Sequence, residues 1–450
     1  MIQFFKTAVP AAIMALAVAG TAAPTAAVAE EQQYFPVPSS RVGPYSAMGT
    51  GYYGGIIDYM KYVNMKEGGV NGVELVWTEC ETEYNAARTV ECFKRLLTGP
   101  NGQKMLVFDT LGTPGAYAVI NRMAEEEVVL AQYGYGRTDA ADGRVWPWVF
   151  NAASHYWDQI GMKMQFMADQ EGGVENMRGK KIVHLHIDSA FGREPLLAMR
   201  AIAEEWGTEL VEISIPPPGL EQQSQWLQIR RERPDWVTFY GAGSGMNSTA
   251  MTNAARMGFS RDRMIYVTFG GAEEDMVPAG DAAEGTYAVA NAVPGREFPL
   301  IADMYKTLYE DSSEGNMANP DRVGTVYYNR GVGAAVMWIE ALRNAQELAG
   351  KDGKAVNGPE FRDGYEALDM PQARLEEIGI AGMVAPFQLS CAKHDGAGKF
   401  RMMQWRDGKF ELVTDWMGPP DSAFIRQLVE DSAAKFASEQ GITPVDCNAS

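Results

Sequence analysis

Short apolar runs separated by longer amphipathic stretches recur along this chain, and that rhythm admits few folds. Residues 73–78, 105–108 and 128–132 are of strand length and rich in Val and Leu, while 85–97 and 115–126 between them carry helical spacing. Parallel neighbours cannot be joined by a tight turn and need a crossover of about a dozen residues, usually a helix. The alternation therefore predicts an α/β chain with a parallel sheet. It resumes further on, with 181–187, 210–215, 236–240 and 264–269 as strands and 194–205, 222–231 and 248–257 as helices. Two such series predict two three-layer αβα lobes with parallel sheets.

The connections between the series suggest how the lobes are joined. Trp146-Pro147-Trp148-Val149-Phe150 reads as a strand crossing out of the first lobe, and 285–293 as the return. Helices at 298–310 and 327–348 then belong with the first lobe, and a β-rich stretch at 400–405 with 409–414 crosses again. The expected division is 30–149 plus 290–385 for an N-terminal lobe and 150–289 plus 386–450 for a C-terminal lobe, both discontinuous. A hinge of several strands favours bending over a free linker.

Residues 1–29 stand apart. Lys6 precedes an apolar run at 8–19, and Ala27-Val28-Ala29 precedes Glu30, the pattern of a cleavable secretory signal peptide. The run is shorter than the roughly 20 residues of a membrane-spanning helix. No cysteine follows it where lipid would attach, which favours a free periplasmic protein of a double-membraned bacterium. The formal net charge of −19 opposes phosphate backbones and anionic lipid, so neither nucleic acid nor a membrane surface is an expected partner. In an oxidising compartment the four cysteines, Cys80, Cys92, Cys391 and Cys447, are expected to form two disulfides. Three connectivities are open. Local closure of Cys80, at a strand end, to Cys92 on the next helix is the simplest, and it leaves Cys391 to pin the C-terminal tail through Cys447. A rival zinc site would need Cys-x-x-Cys pairs or a His cluster nearby, and the sequence has neither.

Little in the chain points to catalysis. Its four histidines are His155, His184, His186 and His394. His184 and His186 face one side of a predicted strand and read as structural; His155, just past the first crossing, is placed to face a cleft and hydrogen-bond a carboxylate. Asp139-Ala140-Ala141-Asp142-Gly143 has some oxygen-ligand character but lacks the calcium-loop spacing, so a solvated turn is expected. Met162, Met164 and Met167 beside Phe166 read as core packing. No G-x-S-x-G or phosphate loop occurs. No catalytic residue, metal or cofactor is assigned.

Several segments carry a resemblance. Arg41-Val42-Gly43-Pro44-Tyr45-Ser46-Ala47-Met48-Gly49 precedes a helix ending Lys66-Glu67-Gly68-Gly69-Val70-Asn71-Gly72. Phe108 to Ala116, Asp188-Ser189-Ala190-Phe191-Gly192, Asp235 to Tyr240 with a Gly-rich continuation, and Asp281 to Gly285 follow in order. Together these resemble the leucine/isoleucine/valine-binding, or branched-chain amino acid, family of ABC importers over nearly the whole mature chain. The resemblance implies a type I periplasmic binding fold that closes on a small ligand, acts as a monomer and delivers to an inner-membrane ABC permease. It implies ligand contacts at Met48, Thr113, Tyr133, Tyr135, Phe191 and Tyr240 to Gly243, with Thr113 and the helix behind it suited to a carboxylate.

One departure bears on the ligand. Where amino-acid binders of that family place an acid against the α-ammonium, this chain has Thr268-Phe269-Gly270-Gly271-Ala272, with Glu273, Glu274 and Asp275 only after it. An ammonium buried without an anion costs several kcal/mol. Tyr45 and Phe269 would join the implied tyrosines and Phe191 in an aromatic wall. The favoured ligand is thus a hydrophobic or aromatic carboxylate, with an amino acid or amide as the alternative and a receptor or kinase sensing module as another use of the fold.

Overall fold

The computed structural model describes residues 31–133 and 135–448, together with Met1; the leader expected over 1–29 lies outside the described residues. Strands β1 (Gln32–Val37) and β2 (Glu74–Glu79) pair in parallel, and β3 (Val107–Phe108), β4 (Val129–Ala131) and β5 (Val149–Phe150) form a second parallel sheet beside them in the order β3-β4-β5. A separate seven-stranded sheet contains β6 (Lys181–Ile187), β7 (Glu209–Ile215), β8 (Trp236–Tyr240), β9 (Met264–Tyr266) and β10 (Tyr287–Ala290), all parallel. A short antiparallel pair, β11 (Asp369–Met370) with β12 (Phe387–Gln388), lies apart. The large sheet is completed by β13 (Arg401–Arg406) and β14 (Lys409–Leu412), in the order β14-β13-β10-β9-β8-β6-β7. The α/β class with parallel sheets is as expected.

The final β-rich stretch joins the large sheet, where β13 runs antiparallel to β10, and β14 antiparallel to β13. The hairpin between them is local. Arg406 pairs with Lys409, leaving Asp407 and Gly408 as a two-residue loop, both with positive φ (50° and 79°). Asp-Gly is suited to that turn, so the chain reverses onto the edge of the sheet it already occupies.

The helices that carry or brace the functional residues are α1 (Ser46–Glu67), α2 (Ala86–Leu96), α3 (Thr113–Val119), α4 (Tyr156–Glu171), α5 (Glu273–Met276), α6 (Val326–Ala349) and α7 (Ser422–Gln440). α1 and α6 pack backbone against backbone: a Cβ on Gly55 would lie 2.3 Å from the Tyr328 carbonyl oxygen, and one on Gly331 1.9 Å from that of Tyr52. This contact sets the height of α6 beside the sheets.

Cys80–Cys92 and Cys391–Cys447 are disulfide-bonded, the simplest of the three connectivities. The Asp139–Asp142 segment is no solvated turn. Both carboxylates are buried, held by two-pronged pairs to Arg137 (2.5 and 2.9 Å) and Arg144 (2.8 and 2.8 Å). Burial follows from α7, whose Phe436 stacks on Trp146 at 4.5 Å while Arg137 lies against both rings. Met162, Met164 and Met167 are buried as expected. Among the described residues no helix is long and apolar enough to cross a membrane.

Candidate binding cleft

The carboxyl ends of parallel strands are where open α/β sheets place ligand loops, and here several such ends converge. Asp109 follows β3, Tyr133 and Tyr135 follow β4, Tyr240 closes β8, and Phe269 lies just past β9. The start of α4 adds Tyr156 and Gln159, and α6 adds Arg330 one turn in.

Arg330 is the centre of this convergence. Its side chain is 0% exposed, with Nη2 donating to the Tyr133 carbonyl at 2.8 Å. Phe269 lies 3.6 Å from the guanidinium carbon by ring centroid, Tyr135 4.8 Å and Tyr133 5.9 Å. Nε and Nη1 have no hydrogen-bond partner among the described residues, and no ion pair to Arg330 is formed there. Ring faces return about 2 kcal/mol to a desolvated cation; an unpaired buried charge costs several. The deficit is what an anion would fill.

The surrounding groups favour the same charge. The Tyr133 hydroxyl makes no hydrogen bond among the described residues, and that of Tyr135, beside the Gln159 amide, makes none of ordinary geometry. Burial pushes both phenols far up, so at neutral pH they are O–H donors. Thr113 Oγ1 is 2.9 Å from the Tyr156 hydroxyl and donates to the Tyr135 carbonyl at 3.3 Å. Gln159 spans the floor, accepting from Tyr240 (3.3 Å) and donating to Thr268 (3.4 Å). Asp109 is the acid that senses Arg330. Burial raises its carboxyl to about 7, against hydrogen bonds from Tyr52 and Leu111 and the Arg330 charge.

The structure brings together six of the residues singled out from sequence. Tyr135 meets Tyr156 edge-on at 5.0 Å and Phe269 at 6.2 Å, Tyr156 meets Phe191 at 5.6 Å, and Phe191 meets Tyr240 at 5.7 Å; Tyr133 and Thr113 complete the set. Met48 is buried in α1. Tyr45 meets Tyr84 at 4.6 Å with the rings tilted and faces Gly243, so it borders the loop after β8.

His155 is placed elsewhere. Its Nδ1 caps α4 by accepting the Asp158 N–H (3.1 Å), and its Nε2 lies 3.3 Å from Asp158 and 3.5 Å from Asp395. These line a cavity of about 540 Å³ with Lys393, Lys399 and Arg426. The three donor atoms are close enough to hold a metal ion. An imidazole that accepts at Nδ1 carries its proton on Nε2, however, so that nitrogen donates to the carboxylates and offers no lone pair. His184 and His186 stack at 4.9 Å and bond to backbone carbonyls.

Glu273 and Glu274 direct their bonds to the start of α6. Glu273 accepts the Val326 N–H at 3.0 Å, and Glu274 pairs with Arg322 at 2.7 Å.

Arg330, Asp109, Tyr156 and Gln159 were not singled out from sequence. Arg330 left one trace: it is the lone cation of the stretch 326–341, otherwise apolar or small but for Asn329 and Glu340.

Residues 32–409 match the model of a family described as periplasmic binding protein. A solved chain from the Pseudomonas fluorescens group, described as an ABC transporter permease, is 38% identical with a TM-score of 0.85, covering 93% of this chain and 99% of that one. A branched-chain amino acid ABC transporter from Thermus thermophilus with bound valine is 20% identical (TM-score 0.75; 89% and 99% covered). An R. palustris ABC transporter solute-binding protein in complex with benzoate is 19% identical (TM-score 0.66; 88% and 98% covered). The last two share the fold. No match was found among proteins of curated function.

Proposed function

This chain belongs to the periplasmic binding protein family, and from that premise we propose that it binds a small hydrophobic or aromatic carboxylate around Arg330 for an ABC importer. The importer role rests on the family and on neighbours that are ABC transporter proteins, among them the solute-binding protein from R. palustris; solute-binding proteins of this kind hand their ligands to a permease. The carboxylate rests on one observation: a fully buried guanidinium with two nitrogens, Nε and Nη1, that find no hydrogen-bond partner among the described residues. In this reading the Tyr133 and Tyr135 hydroxyls donate to the same carboxylate, and Phe191, Tyr240 and Phe269 cover the body of the ligand. The strands on either side act as two lobes that close over it, as the 30–149/290–385 and 150–289/386–450 division implies.

Asp109 is the observation that favours a second reading. A carboxylate near Arg330 could pair an α-ammonium and admit an amino acid, the class bound by the Thermus relative. Its two hydrogen bonds and raised pKa weaken it as a counter-ion. Benzoate, the ligand of the R. palustris protein, is the natural first probe.

Calorimetric titration with benzoate, hexanoate, benzamide and leucine tests the proposal. Binding of the carboxylates and loss of about two orders of magnitude in affinity in R330Q are expected, since truncating one partner of a buried charge pair costs about 2–5 kcal/mol. Binding of leucine alone, or carboxylate binding untouched by R330Q, would overturn it.

A further inference from the structure

Three consecutive acids, Glu273, Glu274 and Asp275, form the first turn of α5, between β9 and β10 of the large sheet. Each bonds to the segment that begins α6. Glu273 accepts the Val326 N–H (3.0 Å). Glu274 Oε1 takes Nε and Nη2 of Arg322 (2.9 and 2.7 Å) and the Thr325 hydroxyl (3.0 Å). Asp275 accepts from the Tyr327 hydroxyl at 2.6 Å. α6 itself packs on α1 and belongs to the other group of sheets. Arg322 also donates to the Ala47 carbonyl at 2.6 Å, so the partner of Glu274 is anchored to α1 as well.

The same two segments carry the ring and the cation of the cleft. Phe269 lies four residues before Glu273, and Arg330 lies one turn beyond Val326, so whatever fixes α5 against α6 also fixes Phe269 on the guanidinium. We propose that Glu273, Glu274 and Asp275 are a closure clasp: positioning residues that hold α6 against the large sheet and so set ligand affinity without touching the ligand. This rests on the reading of the molecule as a clamp. A ligand's apparent affinity scales with the population of the binding-competent state, so loosening the clasp weakens every ligand by one common factor. That uniformity separates the clasp from a residue lining the cleft, whose loss would reorder preferences.

The test is a stopped-flow and calorimetric comparison of wild type, E274Q, R322M and the double variant with benzoate, hexanoate and leucine. We expect each single variant to raise Kd by about tenfold for every ligand that wild type binds, through faster dissociation, with the double variant no worse than either single. The ligand-free melting temperature should stay near that of wild type, which a merely structural role would not allow. Unchanged Kd and dissociation rates, strictly additive losses, or losses confined to one ligand class would overturn the clasp. If wild type binds only leucine the carboxylate reading falls, and the common factor measured with leucine still decides the clasp.

Discussion

Two buried cations in this protein meet different fates because of their chemistry. Lys163 is fully buried, donates to Thr238 Oγ1 at 2.6 Å and lies over the Tyr240 ring. Burial pulls its amine well below the ordinary range, which eases its position without an anion. A guanidinium cannot do the same, and Arg330 therefore needs an anion where Lys163 does not. Asp109 shows the converse for acids. Its carboxyl moves from 3.8 unfolded to about 7 folded, so between those values the native state holds a proton that the unfolded chain has released. The resulting stability is complete below about pH 4 and is lost as pH rises through 7. Replacement by Asn removes the dependence, so D109N is expected to gain about 2–3 kcal/mol relative to wild type between pH 5 and pH 8. Urea unfolding at the two pH values measures it, and a constant difference between the proteins would count against a raised Asp109.

At the scale of elements, the pairing of α1 with α6 places the cation. Helix propensity alone makes Gly331→Ala stabilising by about 1 kcal/mol. Packing gives the opposite sign, because the new Cβ would sit 1.9 Å from the Tyr52 carbonyl oxygen and the helices must part. A loss of about 1–3 kcal/mol is expected, together with weaker carboxylate binding, since Arg330 moves with its helix. Denaturant titration decides between the signs, and a stabilised G331A would refute the close contact. The hairpin of β13 and β14 shows the same limit of local pattern. A period-two pattern marks its strands but does not say which edge of a sheet they join or in which direction they run.

Across the whole molecule, segments remote in sequence are tied together by side chains. Cys391–Cys447 closes a loop of 56 residues and fastens the segment beyond α7, which packs over Trp146 and Arg137. In the chain-entropy model such a loop is worth about 4 kcal/mol. The C391S/C447S variant is expected to lose stability of that order in denaturant titration, and native stability in the variant would show that α7 holds by packing alone. Small-angle scattering should register compaction of the wild type with benzoate; an unchanged radius at saturation would oppose clamp closure.

Much of this was already written in local pattern. Alternating apolar runs determined an α/β chain with parallel sheets, the nearness of Cys80 to Cys92 favoured one disulfide scheme, and Thr113, Tyr133, Tyr135, Phe191, Tyr240 and Phe269 were marked by the family resemblance of the ordered segments around them. Periodicity and chain order carry that information because each depends on neighbours in sequence. Arg330 and the carboxylates of α5 depended on the tertiary structure. Arg330 meets Tyr133 across 197 residues, and whether a charge is paired, exposed or stranded is settled only when distant segments remove it from water.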